Sequence, residues 1–155
     1  MYWTLYNQTG YILRGQMDGT NPQRIVDSTN GPGGIVLDNV SGRLFWTEHE
    51  ANKIKSSNLD GGDLRQILQL SDGARPWSII LVEGRLYWGN WRNKTLQSCT
   101  KSGDDPRVLY VGSNLINQLA FVARNFPPMS RKNDCEGQNC ANICVLNSIS
   151  FRCLD

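Results

Sequence analysis

Long apolar runs are missing from this sequence. The longest stretch without a charged residue, Val108 to Ala123, is interrupted by Gly112, Ser113, Asn114, Asn117 and Gln118, which excludes a membrane-spanning helix. Charge of one sign is missing too. Sixteen Lys and Arg stand against 14 Asp and Glu, for a net charge of +2, and no basic run exceeds two residues. Attraction to nucleic acid or to an anionic membrane therefore has no electrostatic basis, and without a basic groove the aromatic residues are not read as base-stacking platforms. Histidine is reduced to His49, between Glu48 and Glu50, and one histidine supplies neither a triad nor a metal site. The first residues, Met1-Tyr2-Trp3-Thr4, lack the basic and apolar regions of a secretory leader. No long segment has helical periodicity.

What is present points to short strands and tight turns. The chain has 155 residues, 39% of them hydrophobic, with 15 Gly and 5 Trp, and its mean hydropathy of -0.42 suits a globular protein. Four of the five cysteines, Cys135, Cys140, Cys144 and Cys153, fall in the last 21 residues, a density found in disulfide-stapled extracellular modules. Together with the missing leader, this predicts that the chain is part of something longer.

A repeat organises residues 1–123. Tyr2-Trp3-Thr4, Phe45-Trp46-Thr47 and Tyr87-Trp88-Gly89 recur at intervals of 43 and 42 residues, the period of propeller blades or helical solenoids. About 14 residues after each aromatic pair comes a turn, Asp18-Gly19, Asp60-Gly61 or Ser102-Gly103, followed by Arg24-Ile25-Val26, Arg65-Gln66-Ile67-Leu68 or Arg107-Val108-Leu109. Apolar runs precede the second and third pairs, Gly34 to Leu37 and Ser78 to Val82, and a further run, Gln118 to Val122, closes the series. Four β-type segments per period, separated by Gly, Asn and Asp, are what a four-stranded blade needs.

These residues resemble the class B, or YWTD, repeats of the low-density lipoprotein receptor family. The resemblance implies an all-β fold: about three four-stranded blades of a six-bladed propeller over residues 1–123, a linker over 124–134, and a truncated EGF-like module over 135–155. It also implies disulfides between Cys135 and Cys144 and between Cys140 and Cys153. Where the family has Asp after Tyr-Trp-Thr, this sequence has Leu5, Glu48 and Asn90, so the blade-to-blade hydrogen bonds of that Asp are lost. A half propeller exposes two blade faces, and self-association is expected.

If Tyr-Trp lies on the second strand of each blade, one end collects the turns Tyr6–Gly10, His49–Asn52 and Trp91–Lys94 with the starts of the first strands. Arg75, Trp77, Trp91 and Arg92 converge there, and Trp and Arg dominate binding hot spots. In the resembling family this end often carries ligands. The alternative is that Trp77 packs between blades and Trp91 shields a hairpin. Trp3, Trp46 and Trp88 alternate with apolar neighbours and are read as core.

Three sequons, at Asn7, Asn39 and Asn93, fall in expected turns and suit N-glycosylation of an extracellular protein. Glycans at Asn7 or Asn93 would crowd the candidate ligand face. Cys99, left outside the tail framework, is read as an inert buried thiol rather than a reactive one. Asn133-Asp134-Cys135-Glu136 only partly matches a calcium-binding EGF-like start, because Lys132 replaces the acidic residue expected there. No cofactor or metal is expected.

The reading is a non-enzymatic extracellular binding module of a lipoprotein-receptor-like protein, engaging a protein ligand in endocytosis or signalling. A matrix propeller is the structural alternative. A metal-dependent propeller hydrolase would need several inward carboxylates, Asn or His; the first-strand starts supply only Asn117.

Overall fold

The computed structural model describes residues 1–6, 9–116 and 118–120, together with the backbone of two C-terminal strands. The linker and most of the cysteine-rich tail lie outside the described residues. No helix occurs among those described, and the architecture is all-β. A first sheet joins β1 (Tyr2–Leu5), β2 (Gly10–Arg14) and β3 (Gln23–Thr29) in that order. A second joins β4 (Pro32–Asp38), β5 (Arg43–Glu48), β6 (Lys53–Asn58) and β7 (Arg65–Gln69). A third joins β8 (Pro76–Val82), β9 (Arg85–Asn90), β10 (Thr95–Thr100) and β11 (Arg107–Val111). All neighbours are antiparallel, as in blades built by simple up-and-down connection. In the tail, β12 (Ile143–Leu146) and β13 (Phe151–Leu154) form a hairpin whose register sets the backbone of Cys144 opposite that of Cys153.

The first sheet has three strands where four were expected. The Tyr-Trp strand is second in each four-stranded sheet and first in this one.

Alternation along the Tyr-Trp strands decides how the sheets stack. In β5, Leu44 and Trp46 point toward the first sheet and pack with Ile12 and Val26, while Phe45 points the other way, into the cluster holding Ile54, Leu86 and Trp88. Trp46 and Trp88 are fully buried as a result. Trp3 departs from the core assignment. It is only half-buried, because its face of the first sheet has no described sheet against it.

Close backbone approach pins the stack. Gly61 (φ +91°) and Gly103 (φ +92°) occupy matching turns, and a Cβ on either would fall 1.6 Å from the Ile25 carbonyl oxygen or 2.2 Å from that of Ile67, in the preceding sheet. Only glycine fits there. Hydrogen bonds reinforce the contact: Thr4 Oγ1 donates to the Gly33 carbonyl (2.8 Å), Thr47 Oγ1 to that of Trp77 (2.9 Å), and the Tyr2 hydroxyl to that of Leu59 (3.2 Å). Glu48 and Asn90, where the resemblance implies an Asp, instead bond within their own sheets. Glu48 accepts from Trp46 Nε1 and pairs with Lys55, and Asn90 donates to Thr95. Threonines, rather than a strand-end carboxylate, carry these ties.

Each four-stranded sheet also carries a clamp at its other end. Arg43 bridges Asp63 and Ser56, and Arg85 bridges Asp105 and Ser98. Hydrogen bonds from Arg65 and Arg43 hold the Asp63 carboxyl below its ordinary range, and those from Arg107 and Arg85 do the same for Asp105.

An ion pair crosses between sheets: Lys101 Nζ lies 2.7 Å from the buried Asp38 carboxylate. The Lys101 hydrogen bond, with those from Ser41, lowers the Asp38 pKa to about 2. A carboxyl depressed in the folded state contributes its full stability above the unfolded pKa and loses it as pH falls through the folded value. Melting temperature is therefore expected to drop between about pH 4 and about pH 2. Asp38→Asn should lower it at neutral pH and remove part of that slope; an unchanged slope in thermal melts would contradict the assignment.

Candidate functional site

Antiparallel sheets place alternate turns at one end of the stack, and there the three repeats meet. The Tyr6 ring stands edge-on to His49, with centroids 5.4 Å apart, and His49 tilts against Trp77 at 5.0 Å. This aromatic ladder draws one residue from each repeat. His49 is fixed from below: its amide donates to the Gly31 carbonyl (2.8 Å), and its imidazole lies where a Gly31 side chain would begin. His49 Nδ1 is buried and has no partner among the described residues. The Tyr6 hydroxyl donates to Glu50, which raises the Tyr6 pKa.

Arg75, Trp91 and Arg92 assemble beside the ladder. Arg75 adopts φ +52°, held by its amide donating to Asn52 Oδ1 (2.8 Å), and its carbonyl accepts from the Trp91 amide (2.9 Å). Arg92 passes over Gly73, its Cδ 3.6 Å from where a Cβ would stand. Trp77 and Trp91 are 43% and 42% exposed. A groove of about 420 Å³ lies at the same end, lined in part by Thr4, Tyr6, Gly33, Trp77, Ser78 and Gln118.

Arg43, Arg65, Arg85 and Arg107 are all paired with aspartates, whereas at this end neither Arg75 nor Arg92 forms an ion pair with a described residue. Arg14 and Arg24 also lack an ion pair with a described residue, but Arg14 bonds Gln23 and Arg24 lies over the Tyr11 ring. The arrangement offers indole surface flanked by guanidinium groups free to meet carboxylates.

The structure thus brings Arg75, Trp91 and Arg92 together through one loop contact and places Trp77 in the ladder. Sequence reasoning placed the turns that hold Tyr6, His49 and Glu50 at this end but did not single these residues out as site residues. The available signal was an aromatic ring in each equivalent turn or strand start, spread over three repeats. Asn39 is exposed at the opposite end, in the turn between β4 and β5. Asn93 is exposed beside Trp91 and accepts from Thr95 Oγ1 (2.9 Å); Asn7 and Asn117 lie outside the described residues. Cys99 is fully buried, and desolvation pushes its pKa up to about 11, leaving little thiolate near neutral pH.

Residues 42–81 match the family model for the low-density lipoprotein receptor repeat class B. Low-density lipoprotein receptor-related protein 5 of Mus musculus and that of Homo sapiens are each 40% identical to the chain over 48 residues. That match covers 31% of this chain and 3% of either relative, so the chain spans a small part of their length. Among solved structures, a nidogen/laminin complex is similar with a TM-score of 0.68 and 26% identity, over 73% of this chain and 45% of the other. A luciferin-regenerating enzyme is similar with a TM-score of 0.62 over 74% of this chain and 41% of its own; at 11% identity the likeness is one of fold alone.

Proposed function

We propose that this chain is a non-enzymatic recognition module in the extracellular part of a lipoprotein-receptor-like protein, and that the end bearing Tyr6, His49, Arg75, Trp77, Trp91 and Arg92 binds a protein ligand. The observation that carries this reading is the pairing of two half-exposed indoles with two guanidinium groups that have no carboxylate partner among the described residues. Class B repeat similarity over residues 42–81 and the receptor-related relatives support it. The partner is a loop offering acidic and apolar side chains, since guanidinium pairs with carboxylate and indole buries apolar area. Uptake of that ligand by endocytosis, or signalling through it, belongs to the same reading.

Selection of a library of disulfide-looped peptides on the chain tests it. Enriched loops should be acidic and apolar. Trp77→Ala or Trp91→Ala should each weaken their binding about thirtyfold, equivalent to about 2 kcal/mol, with melting temperature unchanged. Peptides indifferent to both substitutions would sink the proposal.

A second reading, a matrix propeller engaged in static protein binding, draws on the similarity to the nidogen/laminin complex. In either setting the tail is an EGF-like module with Cys135 joined to Cys144 and Cys140 to Cys153, and glycosylation at Asn39 leaves the recognition end clear, whereas glycans at Asn7 or Asn93 would compete with it. Peptide mapping without reduction should recover both tail bridges and Cys99 as a thiol that reacts only after unfolding. A bridge from Cys99 into the tail would refute this arrangement.

A further inference from the structure

A cleft of about 380 Å³ opens between the second and third sheets, at the end away from the aromatic ladder. It lies where these two sheets already pack on each other. Two differences between repeats make room for it. The facing pair Tyr2 and Arg14 of the first sheet becomes Phe45 and Ser56 in the second, so a hydroxyl and a long guanidinium-bearing chain are lost from that face. The Tyr2 hydroxyl bonds the Leu59 carbonyl of the next sheet, whereas Phe45 has no such group to offer Lys101, the residue in the place of Leu59. Phe45 and Ile67 close the bottom of the cleft with apolar surface.

The walls are made of hydrogen-bond donors. Arg43, Arg65 and Lys101 line the cleft together with Ser41, Ser56 and Ser102, and among the described residues no carboxylate lines it. Aspartates outside the lining hold these groups in place. Asp63 accepts from Arg43 Nη1 (2.7 Å) and Arg65 Nη2 (2.6 Å), Asp38 accepts from Lys101 Nζ (2.7 Å), and Asp104 accepts from Ser102 Oγ (2.6 Å). Arg43 also donates to the buried Ser56 hydroxyl (2.9 Å), whose own proton has no acceptor among the described residues. Part of the donor set is therefore uncommitted. Arg65 Nη1 and two of the three Lys101 ammonium protons bond no described residue.

We propose that this cleft binds a sugar carrying a sulfate or phosphate ester. A tetrahedral oxyanion accepts from several donors at once, and guanidinium and ammonium groups already fixed by aspartates lose little freedom on meeting it. The volume exceeds what a bare oxyanion fills and falls within the range of small-ligand pockets, about 300–1,000 Å³. The Ser41 and Ser102 hydroxyls and the Gln66 amide belong to the same lining and suit the hydroxyls of a sugar ring, while Phe45 and Ile67 suit its apolar face. The site lies at the opposite end from the proposed recognition surface and does not rest on that reading.

Titration of the isotopically labelled chain with galactose 6-sulfate and with galactose 6-phosphate, followed through its amide resonances at low ionic strength, tests it. At least one ester should bind saturably and shift the amides of Ser41, Arg65, Lys101 and Ser102, the tighter of the two identifying the ester. Plain galactose and sodium sulfate should each bind at least about tenfold more weakly. Arg65→Gln alters a side chain that is 60% exposed and leaves Asp63 paired with Arg43, so it should weaken ester binding about tenfold with little change in melting temperature. Gln66→Glu, at an exposed position, sets a carboxylate in the lining and should weaken it further. Arg107→Gln removes the same charge from the equivalent pair with Asp105, outside the cleft, and should leave the affinity unchanged. Absence of saturable binding by either ester would overturn the proposal. So would equal affinity for sodium sulfate, or equal losses on Arg65→Gln and Arg107→Gln, which would reveal diffuse attraction to surface charge.

Discussion

Gly61→Ala is expected to lower stability by about 3 kcal/mol or more, and Gly19→Ala by about 1–2 kcal/mol. Both glycines have positive φ, +91° and +82°, in equivalent turns, so the backbone strain of an added Cβ is shared. They differ in surroundings. At Gly61 the Cβ would fall 1.6 Å from the Ile25 carbonyl oxygen, and the first two sheets would have to separate to admit it; at Gly19 it meets nothing within 4 Å. Denaturant unfolding of the two variants isolates the cost of breaking the close approach. Equal losses would show that the strain is local to the turn and that this contact does not hold the sheets together. Gly103→Ala, against the Ile67 carbonyl, should behave like Gly61→Ala.

The second large effect is at the repeated tryptophan. Trp88→Ala and Trp46→Ala should each cost about 3–5 kcal/mol, because a fully buried indole leaves a cavity between two packed sheets. Trp3→Ala should cost on the order of 1–2 kcal/mol in the single chain, since part of its surface is already in water. Similar losses at all three positions would mean that the Trp3 flank is covered in solution. Trp77 and Trp91 stand apart from this series: both are more than two-fifths exposed, and their truncation should be felt by a ligand rather than in the melt.

Much of the strand framework was legible in the sequence. The Tyr-Trp or Phe-Trp strand, the Asp-Gly or Ser-Gly turn and the Arg-initiated strand sit where the period of 42 to 43 residues places them. The first sheet was read as four-stranded and has three strands, β1 to β3. The inter-sheet ties were harder to read. Thr4 and Thr47 follow the tryptophans as ordinary strand residues, and only the approach of the next sheet gives their hydroxyls the carbonyls of Gly33 and Trp77. Likewise, Lys101 and Asp38 are 63 positions apart, and nothing local to either marks a partner.

The sequence by itself determined the all-β class, the repeat and the turns. Side-chain alternation and positive φ act over two to four residues, so their signals survive in the linear pattern. It also placed Arg75, Trp77, Trp91 and Arg92 at one end, because antiparallel strands return alternate turns to the same side. Tertiary structure alone decided which tryptophans are core and which are surface, since burial of Trp46 and Trp88 but not Trp3 depends on which sheet stands opposite. It also decided that Tyr6, His49 and Trp77 form one ladder: each ring belongs to a different repeat, and only the stacking of sheets brings the three within contact.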